Sequence, residues 1–229
     1  QTLYIITVTL VGLAMGTTVI VGHAVGSRRF DRAETAIGNT ITLFMGVSVV
    51  LAVVLLALCP QVVALIGTPP EAVEGTAAYL RICFVGIPFI AAYNILSAIF
   101  RGLGDSRSPM YVIGVACIIN IALDFLFIGH MGLGPVGAAL GTVIAQTASV
   151  ALALAWLKSR RTHIHVKRSD LRPQPEVLGS ILKIGVPVAV QDGCIQVAFM
   201  FITVIANHRG LVDAAAVGLV EKMISFLFI

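Results

Sequence analysis

The run Ile118-Ile119-Asn120-Ile121-Ala122-Leu123-Asp124-Phe125-Leu126-Phe127-Ile128 sets a carboxylate, and an amide four residues before it, inside an otherwise apolar segment. It belongs to a longer stretch, 109–129, in which Asp124 is the only charged residue. A helix of about 20 mainly apolar residues crosses the hydrocarbon core of a bilayer, so this length predicts a membrane span. Residues i and i+4 share a helix face, so Asn120 and Asp124 point the same way. On insertion scales an aspartate at the centre of such a helix costs roughly 2.5–3.5 kcal/mol, and it normally faces a cavity or a partner.

The whole chain agrees with that reading. Of its 229 residues 58% are hydrophobic and 11% charged, with a mean hydropathy of +1.01, whereas soluble domains carry about 25% charged residues. Most of the surface must therefore meet lipid. The net charge of +4 sits in loops and is no argument for a nucleic-acid partner. Cys59, Cys83, Cys117 and Cys194 are widely spaced within apolar segments, which predicts buried thiols rather than a zinc site or a disulfide framework.

Further spans are expected before and after 109–129. The first lies in Gln1–Ser27 and the second at about 39–66; others follow at 79–100, 136–157 and 181–206. A seventh begins near Asp213 and is still apolar at Ile229. The fold expected is an all-α polytopic membrane bundle of about six full helices and part of a seventh. The apolar character of both ends suggests an internal piece of a longer protein. Twelve of the fifteen lysines and arginines fall in the loops after the first, third and fifth spans: Arg28, Arg29 and Arg32; Arg101 and Arg107; Lys158, Arg160, Arg161, Lys167, Arg168, Arg172 and Lys183. By the positive-inside rule those loops are cytoplasmic, and 67–78 and 130–135 face outward. Pro88 and Pro187 stand inside spans and Pro60 near the end of one, each removing a helix hydrogen bond.

With that orientation Asp124 lies about five residues, roughly 7.5 Å, in from the outer end of its span. Thr142, on the antiparallel neighbour, lies about six residues in, roughly 9 Å. Asp124, Asn120 and Thr142 thus share a depth and offer a carboxylate, an amide oxygen and a hydroxyl. Hard cations take such oxygen ligands, and a desolvated carboxyl can instead hold a proton. The bland alternative is that Asp124 only bonds Asn120 or reaches a wet surface. Asp192, with Gln191 and Gln196 nearby, forms a second candidate cluster, in the sixth span. Glu221 and Lys222, adjacent in the last span, point in different directions. His23 is expected at an interface; His163 and His165 are expected in solvent.

The turn Phe100-Arg101-Gly102-Leu103-Gly104-Asp105-Ser106-Arg107-Ser108-Pro109-Met110 is followed by the Asn120/Asp124 pair. Then comes the series from Gly132-Leu133-Gly134-Pro135-Val136-Gly137 to Gly141-Thr142-Val143-Ile144-Ala145-Gln146. In order and spacing these resemble the MATE (multidrug and toxic compound extrusion) transporters, over roughly residues 8 to 205. The resemblance implies a twelve-helix transporter of two six-helix lobes. Residues 1–157 would supply helices two to six of the first lobe, 158–180 a cytoplasmic linker, and 181–229 helix seven and part of helix eight. It also implies a first-lobe cation site of Asn120, Asp124 and Thr142 completed by an aspartate on helix one, which has no counterpart here. The function implied is antiport, with Na+ or H+ entering as cationic amphipathic compounds leave across the plasma membrane, without a cofactor or enzymatic chemistry. The partners are then the bilayer, small organic substrates and the remaining helices of the same protein.

Two other activities fit parts of the sequence. A flippase for lipid-linked saccharides would share the fold, but such proteins line their cavity with cations, and these spans hold almost none. Gly102-Leu103-Gly104-Asp105 matches the GxGD signature of intramembrane aspartyl proteases, yet the Tyr-Asp pair that chemistry also needs is absent from the sequence. A further alternative is a segment with no activity of its own.

Overall fold

A computed structural model describes residues 2–65, 73–159, 167, 169–209 and 220. Every regular element among them is helical: α1 (Thr2–Gly26), α2 (Phe30–Ala57), α3 (Cys59–Leu65), α4 (Val73–Gly102), α5 (Arg107–Asp124), α6 (Gly134–Ser159) and α7 (Pro175–Arg209). A π-helical turn, Phe125–His130, extends α5. Among the described residues α2, α4, α5 with its π turn, α6 and α7 are long and apolar enough to cross a membrane. The 25 residues of α1 contain no Asp, Glu, Lys or Arg and make about 37 Å of helix. The all-α polytopic bundle is therefore the observed architecture. The expected span from Asp213, with Glu221 and Lys222, lies outside the described residues; so do 66–72 and, in the linker, 160–166 and 168.

Two span boundaries differ from the sequence reading. The second helix begins at Phe30 and ends at Ala57 rather than running from 39 to 66. Pro60 has no N–H to continue the ladder, and the chain restarts as the short α3, in which Val62 N–H donates to the Leu58 carbonyl at 2.9 Å. The charged first turn of α2, which hydropathy alone assigns to a loop, is helical. The last helix begins at Pro175 rather than 181, with proline in the first turn, where its missing N–H costs nothing. Pro88 and Pro187 lie inside α4 and α7, which continue through them.

The bundle is organised around α4. Of its most apolar stretch 61% is buried, against 6% for that of α5 and its π turn, which is therefore peripheral. Ile95 and Ile99 of α4 pack with Val21 of α1, Phe44 of α2 and Ile181 of α7. Another face of α4 sets Tyr93, Leu96 and Phe100 against Val112 of α5 and Ala153 of α6. Toward the other end, Leu80, Phe84 and Ile87 pack with Ala52, Cys59 and Val63.

Small residues decide how near the helices come. On α6 Gly137, Gly141, Ala145, Ser149 and Ala153 are all buried, and their spacing of four places them in one stripe. Between α1 and α7 the approach is closer still. A Cβ on Gly12 would stand 2.6 Å from the Ala189 backbone, one on Gly185 would stand 2.6 Å from the Leu13 carbonyl, and one on Gly16 would overlap the Ile181 carbonyl. Membrane helices lack a hydrophobic drive toward one another, and backbone contact at small residues supplies the attraction instead.

Buried polar groups fix the connections. Asn39 of α2, fully buried, accepts from the Gln174 N–H at 2.6 Å and donates to the Asp170 carbonyl at 3.2 Å, while Thr42 donates to the Leu171 carbonyl at 2.7 Å. The end of the linker is thereby held on α2, and an orphan donor at the start of α7 is satisfied. In the α4–α5 turn Gly104 adopts φ +81°, a conformation natural to glycine. The Asp105 carboxylate accepts from the Arg107 and Ser108 N–H groups at 3.2 and 3.1 Å and from the Ser108 hydroxyl.

Candidate functional site

Asp124 is the last residue of regular α5 before the π turn. The register changes there. Met131 N–H donates to the Leu126 carbonyl at 3.0 Å, five residues back. Such π turns occur often at functional positions, and nothing in the hydropathy pattern announces this one.

Facing this point is Gly141, in the small-residue stripe of α6. A Cβ on Gly141 would stand 2.6 Å from Asp124 Oδ1 and 3.7 Å from Asn120 Nδ2. The carboxylate and the amide therefore converge on one spot, in the space that any larger residue at 141 would fill. Asp124 Oδ1 and Asn120 Nδ2 are both buried and have no hydrogen-bond partner. Leaving a buried polar group unpaired costs about 1–3 kcal/mol. Asp124 Oδ1 and Asn120 Nδ2 do not satisfy each other by hydrogen bonding. A half-turn of the Asn120 amide would present its oxygen in place of the nitrogen.

Thr142 follows Gly141 in the chain, so the three candidates lie at one level along α6. Its hydroxyl, however, donates to the Ala138 carbonyl of its own helix at 2.9 Å, and the side chain is exposed. Asn120 and Asp124 both face Gly141; Thr142 stands beside them without a hydrogen bond to either. Gly141, which the sequence reading passed over, is the α6 residue in contact with the carboxylate. Its signal was the spacing of four in Gly137, Gly141 and Ala145.

The second cluster is divided. Asp192 and Gln196, one turn apart on α7, line a cavity of about 220 Å³ with Val11 of α1 and Ile195. Gln191 is exposed and is not among the lining residues.

Asp105 precedes α5 and Asp124 ends it, roughly 28 Å apart at 1.5 Å per residue. Asp105 caps the helix start, so the two do not form a catalytic aspartate pair.

A bundle of membrane-crossing helices with an intramembrane carboxylate seated on a glycine defines the class as a polytopic helical membrane protein. The family model described as MatE matches residues 1–126, and the chain belongs to that family. The probable multidrug resistance protein YoeA of Bacillus subtilis (strain 168) is 30% identical over 224 residues, covering 95% of this chain and 48% of YoeA. An inward-facing multidrug resistance MATE family transporter of the MOP superfamily superposes with TM-score 0.82 at 27% identity, covering 97% of this chain and 51% of that one. An outward-facing conformation of such a transporter gives 0.85 at 25% identity, covering 95% and 49%. The chain spans about half the length of the relatives it matches. Those relatives are transporters, not enzymes, which removes the protease alternative.

Proposed function

We propose that the full-length protein is a cation-coupled antiporter of the plasma membrane that exports cationic, amphipathic organic compounds by alternating access, with its basic loops in the cytoplasm. Residues 1–157 belong to its first lobe, 158–180 to the interlobe linker and 181–229 to the start of the second lobe. Asp124 and Asn120 carry the coupling ion, Na+ or H+, with Thr142 at the same level. The observation that carries this reading is the unpartnered Asp124 Oδ1 and Asn120 Nδ2, buried together against Gly141. A proton or a small cation would relieve the uncompensated carboxylate, and its loss would restore the cost, so occupancy biases how α5 sits on α6. The similarity to YoeA, a probable multidrug resistance protein, supports a role in multidrug export.

The test is efflux of a fluorescent cation by the full-length protein in proteoliposomes, with Na+ and pH gradients imposed separately. Wild type should respond to one of them, and Asp124→Asn should lose gradient-driven efflux while keeping its yield and fold. Efflux driven by neither gradient, or undiminished in Asp124→Asn, would sink the proposal.

A further inference from the structure

We propose that the cleft where the α4–α5 turn meets the end of α6 binds the headgroup of an anionic phospholipid. Arg107 takes the phosphate, and the stacked rings of Tyr111 and Trp156 lie under the glycerol. The site is separate from the Asp124 seat and requires only that the bundle stands in a bilayer.

The cleft holds about 510 Å³, between Gly104, Asp105 and Ser108 at the turn, Arg107 and Tyr111 of α5, and Trp156 of α6. Its one carboxylate is already engaged, since Asp105 accepts from the Arg107 and Ser108 N–H groups and the Ser108 hydroxyl. Those bonds also use donors of the first turn of α5, which the helix end would otherwise offer to an anion. Side chains must therefore supply the attraction. The Arg107 guanidinium is exposed and makes no ion pair or hydrogen bond among the described residues. Lys158, also exposed, brings a second positive charge two residues beyond Trp156. A guanidinium can hold two phosphate oxygens at once through parallel N–H bonds.

The rings set the level of the site. Tyr111 and Trp156 stack with centroids 6.4 Å apart and planes 17° from parallel, and they remain 55% and 39% exposed. Tyrosine and tryptophan near the ends of membrane helices settle among the headgroups, where the ring meets lipid and its O–H or N–H meets polar groups. One turn deeper, Val115 of α5 and Leu152 of α6 are exposed as well, each four residues from a ring and so on the same helix face. From the surface inward the order is cation, aromatic pair, apolar strip.

That order selects the ligand. A phospholipid presents phosphate, glycerol and acyl chain in the same sequence, whereas a free phosphate would use the cation alone. An organic cation would be repelled by Arg107. Basic pockets between membrane helices take anionic headgroups in this way, and the volume lies within the roughly 300–1,000 Å³ of small-molecule sites. Of the membrane-crossing helices α5 with its π turn is the least covered by protein. A lipid seated here joins α5 to α6 at the end opposite Asp124.

The experiment is native mass spectrometry of the full-length protein in detergent, titrated with phosphatidylglycerol or with zwitterionic phosphatidylcholine. The first phosphatidylglycerol should bind at least fivefold more tightly than phosphatidylcholine. Arg107→Gln should remove that preference and leave phosphatidylcholine within twofold, while Arg107→Lys should keep part of it. Trp156→Leu retains the charge, should weaken phosphatidylglycerol at least threefold, and serves if Arg107→Gln fails to fold. Arg32→Gln, which removes a positive charge from α2, should change nothing. Wild-type phosphatidylglycerol affinity in folded Arg107→Gln or Trp156→Leu protein overturns the proposal. An equal loss in Arg32→Gln does so too, because charge anywhere would then suffice. Displacement of the lipid by an equal concentration of soluble glycerol phosphate would show a free-phosphate site and overturn the lipid assignment.

Discussion

Two carboxylate–amide pairs lie within the membrane-crossing helices, each with a spacing of four residues, and their surroundings differ. Asn120 and Asp124 on α5 are pressed against a glycine, with an amide nitrogen and a carboxylate oxygen sealed from solvent and unpaired. Asp192 and Gln196 on α7 border an open space of about 220 Å³ together with Val11 and Ile195. The sequence motif is nearly the same; the neighbouring helix makes the difference. The glycine opposite the first carboxylate lets the two helices come so near that even one added carbon would clash with it. The contrast is between a carboxylate pressed against a neighbouring backbone and one that borders open space.

The largest effect that probes this contrast should come from Gly141→Ala. The added methyl would stand 2.6 Å from Asp124 Oδ1, so the carboxylate must leave its seat or α5 must move outward. Because α5 is peripheral, the bundle should still assemble. The rate of gradient-driven efflux should fall about tenfold, the equivalent of about 1.4 kcal/mol. Its dependence on Na+ concentration or pH should also shift, which a packing defect alone would not produce. Gly114→Ala, where a Cβ meets nothing within 4 Å, is the control. Equal behaviour of the two variants would mean that the glycine does not define the ion seat.

Asn120→Ala should have a smaller effect with an instructive sign. Removing a buried donor that has no partner relieves a cost of about 1–3 kcal/mol, so the protein should gain up to about 1 kcal/mol while coupling weakens. The measurement is thermal unfolding in detergent beside efflux. A loss of both stability and transport would show Asn120 to be structural.

How much of this was legible beforehand follows from what hydropathy measures. Charge-free runs locate helices that face lipid, and Asp124 is conspicuous because it interrupts one. Boundaries set by backbone chemistry were not visible in that way. The break at Leu58 depends on Pro60, and the early start of α2 depends on charged residues such as Asp31 and Arg32 that a hydropathy reading excludes. Asn39 sat unnoticed in an apolar span, because neither composition nor spacing reveals that a buried amide holds a linker more than a hundred residues away. Depth along a helix is arithmetic, so Asn120, Asp124 and Thr142 could be placed at one level. Which residue of α6 meets the carboxylate is a matter of rotation, and there Gly141 rather than Thr142 makes the contact. The division of Gln191 from Asp192 and Gln196 has the same origin, since adjacent residues point about 100° apart.

Thr142 gives the finest test of the comparison. Its hydroxyl is committed to the Ala138 carbonyl and its side chain is exposed, so in this arrangement it adds nothing to the seat. Thr142→Val keeps the shape and removes only the hydroxyl. If the seat consists of Asp124, Asn120 and the space over Gly141, efflux should drop less than about threefold and ion affinity should hardly change. A hydroxyl oxygen keeps acceptor capacity while it donates, so rotation of α6 by a fraction of a turn can still bring it to an ion. Thr142→Val losing coupling as fully as Asp124→Asn would therefore show that α6 turns during transport and supplies a ligand in another state. Gly141 would then be the pivot of the site rather than its floor, and the two carboxylate–amide pairs would differ by motion as well as by space.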